Sequence, residues 1–81
     1  MTTTELVPTL TLDLKGLLCP MPVVRIAQAV KKLQIGETIE ALATDPGVLA
    51  DIPAWARTTG NELVSLEKRS SDIRFVVKRT K

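Results

Sequence analysis

Histidine and tyrosine are missing from the sequence, and cysteine, tryptophan and phenylalanine occur once each. Without histidine, neither a Ser-His nor a Cys-His nucleophile pair can be assembled, because the imidazole that would act as general base does not exist. With one cysteine, no disulfide closes within the chain, and a single copy cannot build a zinc site of thiolates and imidazoles. No stretch approaches the roughly 20 apolar residues that a membrane-spanning helix needs. The opening MTTTELVPTL also lacks the basic start and hydrophobic run of a secretory signal. The expectation is a cytoplasmic protein in a reducing compartment, where a lone thiol stays free for chemistry.

Eighty-one residues make one domain, 1–81, with a modest core built from Leu, Ile, Val and Ala. Residues 1–8 are expected to be flexible. Net charge is only +2, yet six of the eleven basic residues (Lys68, Arg69, Arg74, Lys78, Arg79, Lys81) lie in the last fourteen positions, where Asp72 is the sole acid. Such a run most often solvates a face; the alternative is a docking patch.

In TLTLDL, Leu10, Leu12 and Leu14 alternate with Thr9, Thr11 and Asp13, the period of a half-buried strand over 9–14. Gly16 lets the chain turn. From Pro20, Val23, Ile26, Ala27, Val30 and Leu33 form one stripe of an amphipathic helix, with Arg25, Gln28, Lys31 and Lys32 on its wet side. Lys31 and Lys32 complement the dipole in its last turn. Gly36 closes that helix, and a strand over 38–44 turns Ile39, Ala41 and Ala43 to one side. TDPG starts a second helical segment, with Asp45 as cap and Pro46 in the first position. Pro53 predicts a break: a short turn over 46–50, then a fresh start capped by Asp51 and ended by Gly60, with Val48, Ile52 and Trp55 buried. ELVSLEK and IRFVVKR flank the polar RSSD as a hairpin. The order β-α-β-α-β-β predicts an α+β, two-layer sandwich: a mixed four-stranded sheet with both helices on one face.

The single cysteine sits in GLLCPMP, residues 16–22. Pro20 suits the first helical position, which places Cys19 at the helix mouth. There the dipole and first-turn amides favour a thiolate, so a lowered pKa is expected, with Lys15 and Arg25 as possible neighbouring charges. Pro20 and Pro22 lack N–H groups, so the activation is modest and the rigidity strong. A lone cysteine is most often a small buried hydrophobe. Here it lies off the apolar stripe, between turn-forming Gly16 and Pro20, and Pro22 stiffens a segment that core packing would not ask to be stiff. An isolated thiol with no second cysteine cannot run a dithiol cycle, but it can carry a group covalently, for example as a persulfide.

From Leu12 to Lys78 the chain resembles the TusA/SirA sulfur-carrier family. The features that carry the resemblance are L-D-x-x-G-L-x-C-P-x-P at Leu12 to Pro22, Gly36-Glu37 before the second strand, Asp45-Pro46, and DIPAW at Asp51 to Trp55. The resemblance implies the same two-layer fold and the receipt of sulfane sulfur on Cys19, with Gly16, Pro20 and Pro22 as the motif residues that position it. Partner docking by Lys15, Met21 and Arg25 is an expectation beside it. The family's donors include cysteine desulfurases and rhodanese-like proteins, and its acceptors include DsrE-like and heterodisulfide-reductase-like proteins. The sulfur goes toward tRNA wobble-uridine thiolation or through sulfur oxidation. No cofactor or metal, no direct membrane contact and only an indirect link to nucleic acid are implied, and nothing demands more than a monomer. The chain departs from many relatives at Thr44, in place of the first acid of a pair, at Ala56, in place of a cysteine, and at Asn61, in place of a histidine. With no second cysteine, loaded sulfur leaves only to a partner.

Two other readings stand beside the carrier. One is a small RNA-binding or regulatory module using the basic C-terminal hairpin, against which the scarcity of aromatics for base stacking counts. The other keeps the carrier and makes the hairpin, Lys15 and Arg25 a surface for an acidic partner near Cys19.

Overall fold

The computed structural model describes residues 8–81. The expected flexibility of residues 1–8 therefore falls outside the described residues except at Pro8. The elements follow in the order β1 (Leu10–Leu14), α1 (Met21–Val30), β2 (Thr38–Ala43), α2 (Val48–Thr59), β3 (Glu62–Lys68) and β4 (Ile73–Lys78). They build the expected α+β sandwich. The sheet order is β1-β2-β4-β3, with β1 parallel to β2 and the other pairs antiparallel.

Strand alternation sets the two faces. Leu14 of β1, Ile39, Ala41 and Ala43 of β2, and Ile73, Phe75 and Val77 of β4 are buried in one cluster with Ile26, Ala29 and Val30 of α1 and Val48 and Ile52 of α2. Alanines at 41 and 43 leave room on the central strand for the helices to approach, and the one phenylalanine fills the middle of β4 with no exposed surface. The opposite face of the sheet carries the half-buried ion pair between Arg74 and Glu40 on neighbouring central strands. Strand β3 breaks the alternation: Leu63 and Leu66 both pack on the core although three residues apart. A β-bulge makes this possible, since Leu63 pairs with Val77 and Ser65 with Val76, leaving Val64 as the extra, exposed residue.

The helices differ from expectation in three respects. The α1 helix ends at Val30, so Lys31 is its cap and Lys32 lies beyond it rather than in its last turn. Its terminal carbonyls are met from elsewhere: the Arg79 guanidinium donates to the carbonyl oxygen of Leu33 and reaches those of Val30 and Lys31. Second, Pro22 is fully buried, so core packing is what fixes this proline, contrary to the sequence reading. Third, α2 is one helix with Pro53 inside it, and Asp51 lies in its first turn instead of capping a second segment. The break at Pro53 does not occur because the apolar stripe Val48, Ile52 and Ala56 runs straight through the proline and is buried on both sides of it. Burial of that stripe outweighs the single amide that proline withholds. Gly60 ends α2 in the left-handed region at φ 81°, as expected.

Replacing Phe75 by Ala removes the largest fully buried side chain and is expected to cost ~3–5 kcal/mol. Val64→Ala, on the exposed bulge, is expected to change stability by less than about 0.5 kcal/mol. Urea titration followed by Trp55 fluorescence measures both, and equal effects would contradict the assignment of faces.

Candidate functional site

Parallel pairing of β1 with β2 ends at Leu14 opposite Ala43, so the segments that leave the two strands emerge side by side at one end of the sheet. The first carries the cysteine. Gly16 turns it in the left-handed region at φ 83°, and the Gly16 N–H donates to Thr44 Oγ1 at 2.9 Å, tying this loop to the end of β2. Pro20, not Cys19, is the residue that precedes α1, with Met21 as the first helical position and Pro22 anchored in the core behind it. Cys19 is thus one residue further from the helix than the sequence suggests, joined to Pro20 by a cis peptide bond.

Cys19 is exposed. Its partners are both acidic and both come from the chain after β2. The Cys19 N–H donates to Asp45 Oδ2 at 2.8 Å, and the Cys19 Sγ–H donates to Asp51 Oδ2 at 3.0 Å. The other Asp45 oxygen accepts the Gly47 N–H at 3.3 Å. One carboxylate therefore clasps the cysteine loop and the approach to α2 together. The Met21 N–H, a first-turn amide expected to face the sulfur, donates instead to the carbonyl of Leu18 at 2.8 Å.

This geometry reverses the expected electrostatics. The hydrogen bond to Asp51, partial desolvation and the negative charges of Asp51 and Asp45 push the Cys19 thiol above its ordinary pKa. Among the described residues no cation counters them: Lys15 acts on Asp72, which the Arg69 side chain chiefly holds below its usual range. The carboxylate thus favours the proton-bearing thiol over the thiolate at Cys19.

The surface beside the sulfur is a shallow basin of about 390 Å³ walled by Pro20 just before α1, Val23 of α1, and Asp51, Ala54, Trp55 and Thr58 of α2. Trp55 is half-buried there, packed against the core but open to the basin, and is not a fully enclosed anchor. Leu18, which precedes Cys19, and Met21, two residues after it, are 71% and 39% exposed and add apolar surface near the cysteine, and Val24 one turn on in α1 is 37% exposed. Of the expected docking residues, Met21 thus lies close to Cys19. Lys15 and Arg25 are exposed but do not set the charge at the sulfur.

The C-terminal basic run does not form one patch. Strand β4 divides it: Lys68 and Arg69 sit at the hairpin end, opposite Ile73 and beside Thr44, while Lys78 pairs with Thr38 at the far end. Six residues of strand separate those ends by about 17 Å. Three of the six basic side chains are also committed within the fold, Arg69 to Asp72, Arg74 to Glu40 and Arg79 to the carbonyls after α1. This removes the observation that motivated an RNA-binding hairpin.

The profile of the family described as sulfurtransferase TusA matches residues 10–79. The chain belongs to the TusA family. It is 35% identical over 69 residues to the sulfur carrier protein TusA of Allochromatium vinosum, covering 85% of this chain and 91% of that one. It is 42% identical over 71 residues to the putative sulfur carrier protein YrkF of Bacillus subtilis, covering 88% of this chain but only 38% of YrkF. The fold of the TusA domain described here matches the crystal structure of a SirA-like protein from Desulfitobacterium hafniense with a TM-score of 0.77 at 24% identity, over 90% of this chain and all of that one.

The sequence singled out Cys19, Gly16, Pro20 and Pro22, and presented Asp45 and Asp51 as helix caps and as parts of the family motifs, not as neighbours of the cysteine. The signal for their role lay in the β-α-β order itself, which sets whatever follows the second parallel strand against whatever follows the first. Two outcomes check this geometry. Because a carboxylate favours the proton-bearing form, the pH midpoint for alkylation of Cys19 by iodoacetamide is expected above that of an unstructured cysteine peptide and lower in Asp51→Asn than in wild type. Asp45→Ala is expected to speed amide hydrogen exchange at Cys19 about fivefold, the factor carried by one hydrogen bond of ~1 kcal/mol; an unchanged rate would contradict the clasp.

Proposed function

We propose that the protein is a sulfur carrier that accepts sulfane sulfur as a persulfide on Cys19 and hands it to partner proteins. The observation that carries this reading is the placement of the only cysteine: exposed, fixed by the Asp45 clasp and rimmed by apolar surface, in a chain of the TusA family. In loading, the Cys19 sulfur attacks the outer sulfur of a donor persulfide, the donor's S–S bond breaks, and the donor departs as a thiol. Delivery is the same exchange run toward an acceptor, with no net oxidation or reduction.

The partners in this reading are proteins. A cysteine desulfurase or rhodanese-like protein serves as donor and a DsrE-like or other sulfur-accepting protein as acceptor, in tRNA thiolation or sulfur oxidation. A cytoplasmic setting agrees with a chemistry that needs a free thiol, and among the described residues no helix is long and apolar enough to cross a membrane. Leu18, Met21 and Val24 supply the kind of apolar contact that protein docking favours.

Incubation with a cysteine desulfurase and cysteine, followed by intact mass spectrometry, is expected to add about 32 Da, one sulfur atom. Cys19→Ser abolishes the adduct, and a reductant removes it from wild type. A wild-type mass that stays unchanged with both desulfurase and rhodanese donors would refute the carrier.

A further inference from the structure

With Cys19 as the persulfide-bearing residue proposed above, the two states of the carrier meet the site differently. Unloaded, the sulfur has a proton and gives it to Asp51 Oδ2 in a hydrogen bond of 3.0 Å. Loaded, the inner sulfur is bonded to a second sulfur and has no proton to give. The outer sulfur of a persulfide ionises more readily than a thiol, so the loaded state places an anion beside Asp51 and Asp45, whose charges both act on this position. The groups facing it from α1 and the rest of α2 offer no positive charge in return: Pro20, Val23, Ala54, Trp55 and Thr58 complete the basin wall.

We infer that Asp51 is a positioning residue that biases the carrier toward delivery, stabilising the unloaded thiol by a hydrogen bond that the inner sulfur of the persulfide cannot make and repelling the anionic outer sulfur. In the exchange, an acceptor thiolate attacks the outer sulfur and the bond between the two Cys19 sulfurs breaks. Its electron pair stays on Sγ, which takes up a proton in place of the one the acceptor thiol gave up on becoming a thiolate, and the outer sulfur keeps its negative charge in the new acceptor persulfide. One sulfur atom moves, charge is conserved and no oxidant or reductant is needed. The bias acts on the position of this equilibrium, because Asp51 favours one side of it. A carboxylate half-buried on the first turn of α2 is poorly explained as a helix cap, since the approach to α2 is already held by Asp45.

The test is an equilibrium measurement. Wild type, Asp51→Asn and Asp51→Ala are each mixed with the same glutathione persulfide and glutathione buffer at neutral pH, and the loaded-to-unloaded ratio at Cys19 is read by intact mass. Both variants are expected to hold a ratio about two- to fivefold higher than wild type, the scale of one solvent-exposed charged contact. The gap narrows at high ionic strength, which a purely structural role for Asp51 would not produce. Trp55 fluorescence verifies that each protein is folded, and Asp51→Asn preserves side-chain volume should the alanine variant unfold. Equal ratios in wild type and Asp51→Asn, or a lower ratio in the variant, would overturn the inference while leaving the carrier intact. Failure of wild type itself to load would count against the carrier and not against Asp51.

Discussion

The parallel register between β1 and β2 is the constraint on which the rest of the site depends. Antiparallel strands would send their following segments to opposite ends of the sheet. The parallel pair, joined through α1, sends them to the same end, so that Leu14 and Ala43 finish opposite one another. Cys19 and Asp45, 26 residues apart, then lie within a hydrogen bond. The register is itself fixed by burial: a slip of one residue would turn Ile39, Ala41 and Ala43 to the uncovered face and expose the whole apolar edge of β2. Core packing and thiol placement are therefore the same requirement seen at two levels.

What the site then does to the sulfur follows from which residues the topology delivers. The helix that starts beside Cys19 offers little: Pro20 and Pro22 have no amide hydrogen and the Met21 amide is already bonded to Leu18. The segment after β2 offers carboxylates. Between a weak positive pole and two nearby negative charges, the charges decide, and the thiol stays protonated. A thiol in that state resists casual alkylation and oxidation, which attack the thiolate. In the carrier reading proposed above, reactivity then comes from a docked partner, in keeping with the exposed apolar side chains of Leu18 and Met21 on either side of Cys19 in the chain and with the absence of any imidazole.

Strand alternation made the fold legible in the sequence: Leu10 to Leu14, Ile39 to Ala43 and Ile73 to Val77 each show which face is inward, and the helix stripes of α1 and α2 show what covers them. Three of the readings that failed did so because a tertiary effect outweighed a local rule. Pro53 is a helix breaker by itself, but the stripe on either side of it is buried in a common core. Pro22 looked like a stiffener without a packing role, yet it is among the residues with essentially no exposed surface. The pKa direction at Cys19 was read from the nearest helix and from the cations nearby in the chain, Lys15 and Arg25. The opposing carboxylates lie 26 and 32 residues away and become neighbours only in the folded sheet. Cys19 stood out in the sequence because it is the single cysteine; its environment did not, because environment is a property of contacts between distant segments.

Fixing the cysteine loop before any partner arrives also bears on affinity. Ordering a backbone residue costs roughly 1–2 kcal/mol, and a flexible loop of Lys15 to Pro20 would have to be ordered each time a donor or acceptor docked. Here that ordering is done during folding, by the Gly16 bond to Thr44, the Asp45 clasp and the burial of Pro22. A small apolar rim is then enough for an encounter in which the sulfur is already placed, because little of the contact energy is spent on arranging it. A carrier must also let go of each partner. Low ordering cost combined with a small contact area gives brief complexes that still bring two sulfurs into line, whereas a floppy loop would need a larger and longer-lived interface to reach the same geometry.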